Sequence, residues 1–122
     1  MSAARAKSRG VSAATVRRLV LALPGVEDGS SYGMPSFKVG KKFLARIRSD
    51  GALAVKLGSF EDRDYLLSHD PAVFYTTDHY RDYPTVLIRL DVAKESDVRD
   101  VLTDAWRRVA PRKTVEQFDA GQ

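Results

Sequence analysis

SFKVGKKFLARIRSDGALAVKL, residues 36–57, decides the fold. Apolar and cationic side chains alternate through it, and glycines punctuate it. A period of two marks strands buried on one side. Three are expected, at Ser36–Val39, Lys42–Arg48 and Ala52–Leu57, with turns at Gly40 and at Asp50-Gly51. The second turn can be two or three residues long, and the side-chain pattern chooses. A two-residue turn sets Ile47 against Ala54 and Arg46 against Val55, which mixes the faces. The loop Ser49-Asp50-Gly51 instead pairs Ile47 with Leu53, Ala45 with Val55 and Phe43 with Leu57. That keeps one face apolar, so the longer loop is expected, with Gly51 left-handed.

Helical periods flank this meander. Val16, Leu19, Val20 and Leu23 form one stripe, predicting a helix over Ser12–Leu23 with Ser12 as cap and Pro24-Gly25 as stop. A short helix is expected at Phe60–Ser68, opened by Ser59 and Asp62 and stopped by Pro71. Strands follow at Val73–Thr76 and Thr85–Leu90, joined by a polar, aromatic loop. A third helix, Glu95–Val109, buries Val98, Val101, Leu102, Ala105 and Val109, with Trp106 beside them. The expected order is α-β-β-β-α-β-β-α. This is an α+β fold, a two-layer sandwich whose antiparallel sheet of about five strands carries helices on one face. Residues 1–11 read as a flexible arm, 12–113 as a single domain and 114–122 as a frayed tail.

Composition fits this reading. The 122 residues carry 43% apolar and 30% charged side chains, enough for one core. No apolar run reaches membrane-spanning length, and the N-terminal residues do not pattern as a signal peptide. With no cysteine, disulfides, thiolate metal sites and thiol catalysis are excluded, and a cytoplasmic location is expected. The net charge of +4 arises from 20 basic against 16 acidic residues. Such a surplus suits polyanions only if the cations are gathered.

They are gathered in the meander. Lys38, Lys41, Lys42, Arg46 and Arg48 occur with no acidic residue between them. If the apolar residues of the strands meet the helices, Lys38, Arg46, Arg48, Lys56 and Arg89 face outward. A phosphate backbone can neutralise such a patch, and a solvated face guarding a sheet carries the same pattern. A second group, Asp78, His79, Tyr80 and Tyr83, lies in the loop after residue 76. Read as catalysis, His79 is a base oriented by Asp78, but neighbours in sequence rarely face one another and no nucleophile accompanies them. Read as binding, Tyr80 and Tyr83 stack on bases or line a ligand groove. No phosphate-binding glycine loop, nucleophile elbow or metal-ligand spacing is present, so no catalytic residue, cofactor or metal is expected.

Four motifs in order resemble the MmcQ/YjbR family. They are Leu21-Ala-Leu-Pro-Gly-Val-Glu27, Ser36-Phe-Lys-Val-Gly-Lys-Lys-Phe43, Thr76-Thr-Asp-His-Tyr80 running on through Tyr83–Leu90, and Asp104-Ala-Trp-Arg-Arg-Val-Ala-Pro111. The resemblance covers about residues 16–113 and departs at Tyr83-Pro84, where many members carry tryptophan. It implies a two-layer CyaY-like fold, similar to type III secretion chaperones and frataxin-like proteins. It also implies DNA binding through paired hairpin wings, here around Gly40 and Gly51, and brings no catalytic residues. The combined expectation is a non-enzymatic DNA-binding protein whose phosphate contacts are Lys38, Lys41, Lys42, Arg46, Arg48, Lys56 and Arg89. The alternative is an interaction module for a protein or small ligand. No membrane partner is expected, and the chain is expected as a monomer or weak dimer.

Overall fold

The computed structural model describes residues 10–121. Its helices are α1 (Ala13–Leu21), α2 (Phe60–His69), α3 (Glu95–Val109) and α4 (Arg112–Ala120). Its strands are β1 (Val26–Ser31), β2 (Met34–Val39), β3 (Lys42–Ile47), β4 (Leu53–Lys56), β5 (Phe74–Tyr75) and β6 (Thr85–Ile88). They form one antiparallel sheet in the order β1-β2-β3-β4-β6-β5. The fold class is α+β, as expected, with six strands in place of five.

The loop choice at the centre holds. Ala45 pairs with Val55 and Ile47 with Leu53, and Arg48 N–H meets the Ala52 carbonyl at 2.8 Å. Gly51 closes that loop at φ +90°, a value open to glycine and strained for most other residues. Across the sheet, Leu53 faces Ile88 and Val55 faces Val86. These side chains are buried with Val16 and Val20 of α1 and with Val98, Val101, Leu102 and Ala105 of α3. The helical caps also form: Ser12 Oγ accepts from Thr15 N–H at 3.1 Å, and Ser59 Oγ from Asp62 N–H at 3.0 Å.

One pairing expected in β3 does not form. The register between β2 and β3 shifts at Phe37/Lys38, so that Phe37 faces Ala45 while Lys38 faces Phe43. Leu44 is the extra residue of a bulge. It is fully buried in the core, and Phe43 is displaced to the other face, where it lines a cleft with Arg46 and Lys56. The expected contact of Phe43 with Leu57 is therefore replaced by burial of Leu44. An alternation rule applied to six consecutive residues cannot see an inserted one.

Strand β1 was absent from the expected order. Its sequence, Val-Glu-Asp-Gly-Ser-Ser, is polar because it is an edge strand that gives only Val26 to the apolar layer. It is joined to β2 by Tyr32-Gly33, both at positive φ (54° and 78°), which is the geometry of a tight two-residue hairpin. The other end of the chain also differs. Residues 112–120 form α4, not a frayed tail, because Phe118 packs edge-on against the Trp106 ring at 4.9 Å. Trp106 is fully buried and donates from Nε1 to the Pro24 carbonyl at 2.8 Å, tying α3 to the end of α1. Of the expected N-terminal arm, residues 1–9 lie outside the described residues. Gly10 and Val11 are not free, since their N–H groups bond to the carbonyls of Ala93 and Leu90 at 2.8 and 2.7 Å. No helix among the described residues is long and apolar enough to cross a membrane.

Trp106→Phe retains a large buried ring but leaves the Pro24 carbonyl without its donor. We expect a loss of about 2 kcal/mol, read from urea unfolding followed by far-UV circular dichroism.

Candidate nucleic-acid interface

The face away from the helices is defined by register. Ser36 faces Arg46, Arg46 faces Ala54, Ala54 faces Leu87 and Leu87 faces Tyr75, so this row shares one side of the sheet. Ala54 and Leu87 are nevertheless buried. The cover is the β5–β6 connection, residues 76–84. It contains a short 3-10 turn, Asp78–Tyr80, and folds back over the sheet. Tyr80 Oη accepts from Arg46 Nη2 at 3.0 Å, and Arg46 lies on β3, two strands from β6 in the sheet order. The connection must therefore cross β4 to reach it. The expectation of a bare second face is corrected: part of it is roofed.

Three arginines hold this roof. Arg46 bonds to the Tyr80 hydroxyl, and the Arg48 guanidinium stacks over the Tyr80 ring at 5.6 Å. Arg63 grips from α2. It is 8% exposed, rare for arginine, and its Nη1 donates to the carbonyls of Arg81 and Tyr83 at 2.9 Å each and of Tyr80 at 3.3 Å. Its Nε reaches Asp64 at 3.1 Å, and its guanidinium lies 5.0 Å from the Phe60 ring. A guanidinium presents several donors in a fixed fork, which suits it to collecting carbonyls that a loop cannot satisfy by itself.

The expected contact residues separate into two groups. Arg46 is half-buried between Tyr80 and the Tyr32 ring, 5.5 Å from the latter. Arg48 is paired with Asp50 at 3.0 Å. Arg89 lies 4.1 Å from the Tyr75 ring, bonds to the carbonyls of Pro71 and Ala72, and shares a depression with Asp50 and Asp91. The lysines differ. Lys38, Lys41, Lys42 and Lys56 are exposed and make no ion pair among the described residues. Lys38 sits across from Glu27 on β1 and from Phe43 on β3. Lys42 is registered with the buried Val39, which turns it toward the helix side. The turns at Gly40 and Gly51 close opposite ends of β3, so the two expected wings are not side by side. The cationic end is the Gly40 end, where Lys56 also lies.

The loop residues do not form a catalytic pair. Asp78 is almost wholly exposed and approaches Arg81 at 3.7 Å, with no hydrogen bond to His79 among the described residues. The His79 ring instead meets Tyr80 edge-on at 4.8 Å and lies 6.5 Å from Tyr83. Tyr32, Phe43, Arg46, Lys56, His79, Tyr80, Tyr83, Pro84 and Thr85 line a shallow cleft of about 310 Å³. Three residues of this region were missed in sequence. Tyr32 belongs to an unexpected hairpin, Phe43 was displaced by the bulge, and Arg63 occupied an unremarkable position in a polar helix. Only the Tyr32-Gly33 dipeptide carried a usable signal, that of a turn.

The sequence model of the YjbR family matches residues 21–108, from the end of α1 through most of α3. The chain belongs to the YjbR family. Within that span lie the whole sheet, the roof and Arg63, whereas α4 lies beyond it. Similar proteins include the uncharacterized protein Rv2570 of Mycobacterium tuberculosis and the uncharacterized protein Mb2600 of Mycobacterium bovis. Each is 38% identical to this chain over 121 residues, covering 84% of this chain and 92% of the relative. No solved structure gives a significant match.

Replacing Arg63 by alanine strands the Arg81 and Tyr83 carbonyls, while the Tyr80 carbonyl keeps the Tyr83 N–H at 3.0 Å. The expected cost is about 3 kcal/mol in urea unfolding, with loss of amide hydrogen-exchange protection at residues 80–83. Arg63→Lys restores the charge but not the fork, so it recovers only part of both.

Proposed function

We propose that this YjbR protein is a cytoplasmic, non-enzymatic nucleic-acid-binding protein whose phosphate contacts lie at the Gly40 end of the open face. The observation that carries this reading is the gathering of unpaired cations there, whereas Lys94 at the start of α3 and Lys113 on α4, also without an ion pair among the described residues, stand apart. Lys38, Lys41 and Lys56 have no ion pair among the described residues, and Arg46 adjoins them without a carboxylate. Elsewhere arginines are offset by acids: Arg17 by Asp28, Arg18 by Glu95, Arg107 by Asp119 and Arg108 by Asp62. Glu27 stands opposite Lys38 but forms no ion pair with it among the described residues. Exposed cations gathered in excess of their acidic neighbours repel one another, and a polyanion relieves that repulsion while releasing its own counterions. Arg48 and Arg89, engaged by Asp50 and by backbone carbonyls, are secondary in this reading.

Contacts of this kind position a nucleic acid without reading its sequence. With three or four phosphates neutralised, the logarithm of the binding constant should fall against the logarithm of salt with a slope of about −3. Fluorescence anisotropy on a random oligonucleotide measures it. Lys41→Ala and Lys56→Ala should each reduce the slope by about one, and Lys113→Ala on α4 should leave it unchanged. Salt-independent binding, or no binding at low salt, overturns the proposal.

A further inference from the structure

The cleft at Lys56 is aromatic, and its two most prominent rings are exposed. Tyr32 is 93% exposed and Tyr83 is 56% exposed. Tyr32 also has φ +54°, in a turn whose geometry is met most cheaply by Asn, Asp or Gly. A bulky residue there is held against its backbone preference, and the neighbour it engages is Arg46, 5.5 Å from one side of the ring. Burial does not explain this placement. From Tyr32 the contacts run in a chain: to Arg46, from Arg46 to Tyr80, from Tyr80 to His79, and from His79 to Tyr83. The result is a cleft of about 310 Å³ with an exposed ring at each end of the chain and Phe43 and Lys56 in its wall.

A duplex offers a partner phosphates and the edges of its base pairs, with the flat faces stacked away inside. A single strand offers phosphates and flat faces together. Exposed rings beside the unpaired Lys56, with Lys38 and Lys41 farther toward Gly40, match the second. We propose that this face takes single-stranded nucleic acid, its bases stacking on Tyr32 and Tyr83 while Lys38, Lys41 and Lys56 meet the phosphates. The inference rests on the nucleic-acid reading above and narrows it. Charge complementarity selects a polyanion, and the paired rings select one with accessible bases.

The test compares labelled strands of about twelve nucleotides, within the length such sites cover. One is single-stranded, one is the matching duplex, and one is an abasic strand of equal charge. The single strand should bind at least about tenfold tighter than the duplex or the abasic strand. Tyr32→Gly and Tyr83→Ala should each weaken single-strand binding about tenfold without altering the salt slope, and Tyr83→Trp should restore it. Tyr32→Gly relieves the backbone at that turn, so its urea midpoint should not fall even as binding does. A duplex bound as tightly as the single strand, with both tyrosine variants indifferent, overturns this inference and leaves the broader reading standing. Binding to none of the three at low salt overturns both. A free nucleoside monophosphate binding as tightly as the strand overturns the assignment to a polymer.

Discussion

A sheet covered by helices on one side must still hide whatever apolar groups its other side carries. Here those groups include Ala54 and Leu87, on the neighbouring strands β4 and β6. They are hidden by residues 76–84, a connection too polar to stay down by hydrophobicity alone. It stays because Arg46 and Arg48 hold it from the sheet and Arg63 holds it from α2. The cost of burying Arg63 is offset by the carbonyls it satisfies and by the acidic neighbour Asp64. The position of Tyr80, the shape of the cleft beside it and the exposure of Tyr83 all follow from this clamp.

The clamp also sorts the cations by chemistry. Arginine, with a planar group that stacks and binds two acceptors at once, is used for structure: over Tyr80, over Tyr75, beneath the loop. Lysine, a compact and strongly hydrated charge on a flexible stem, is left in solvent, and four of the six described lysines (Lys38, Lys41, Lys42 and Lys56) lie at the Gly40 end. A count of basic residues treats the two alike. The cluster of free cations on the open face is accordingly smaller than the count suggests, and it lies at one end of β3.

Much of the fold was legible because most elements obey one period. Helix α3 runs over Glu95–Val109, the span its apolar stripe predicts. The loop at Gly51 has the length that keeps Ile47 and Leu53 on one side. The failures have separate physical causes. Strand β1 lies at an edge, so it needs few apolar residues and shows no alternation. Leu44 is added to a strand whose period then resets, which moves Phe43 across the sheet. Helix α4 brings only Val115 and Phe118 to the core and depends on Trp106 for a partner. The outward cations were placed correctly by alternation, but their partners were not. Ion pairs and loop contacts such as Arg46 with Tyr80 join residues far apart in sequence, and no local pattern encodes them.

The two layers also separate the protein's chromophores. The single tryptophan is sealed on the helical side against Phe118 and Pro24. Four of the five tyrosines, Tyr32, Tyr75, Tyr80 and Tyr83, belong to the opposite side, and Tyr65 stands on α2 beside α3. Indole emission therefore reports the integrity of the packed interior and is blind to events on the outer surface. Phenolic absorbance is weighted the other way, toward the outer surface, with Tyr65 its one contribution from the helical layer.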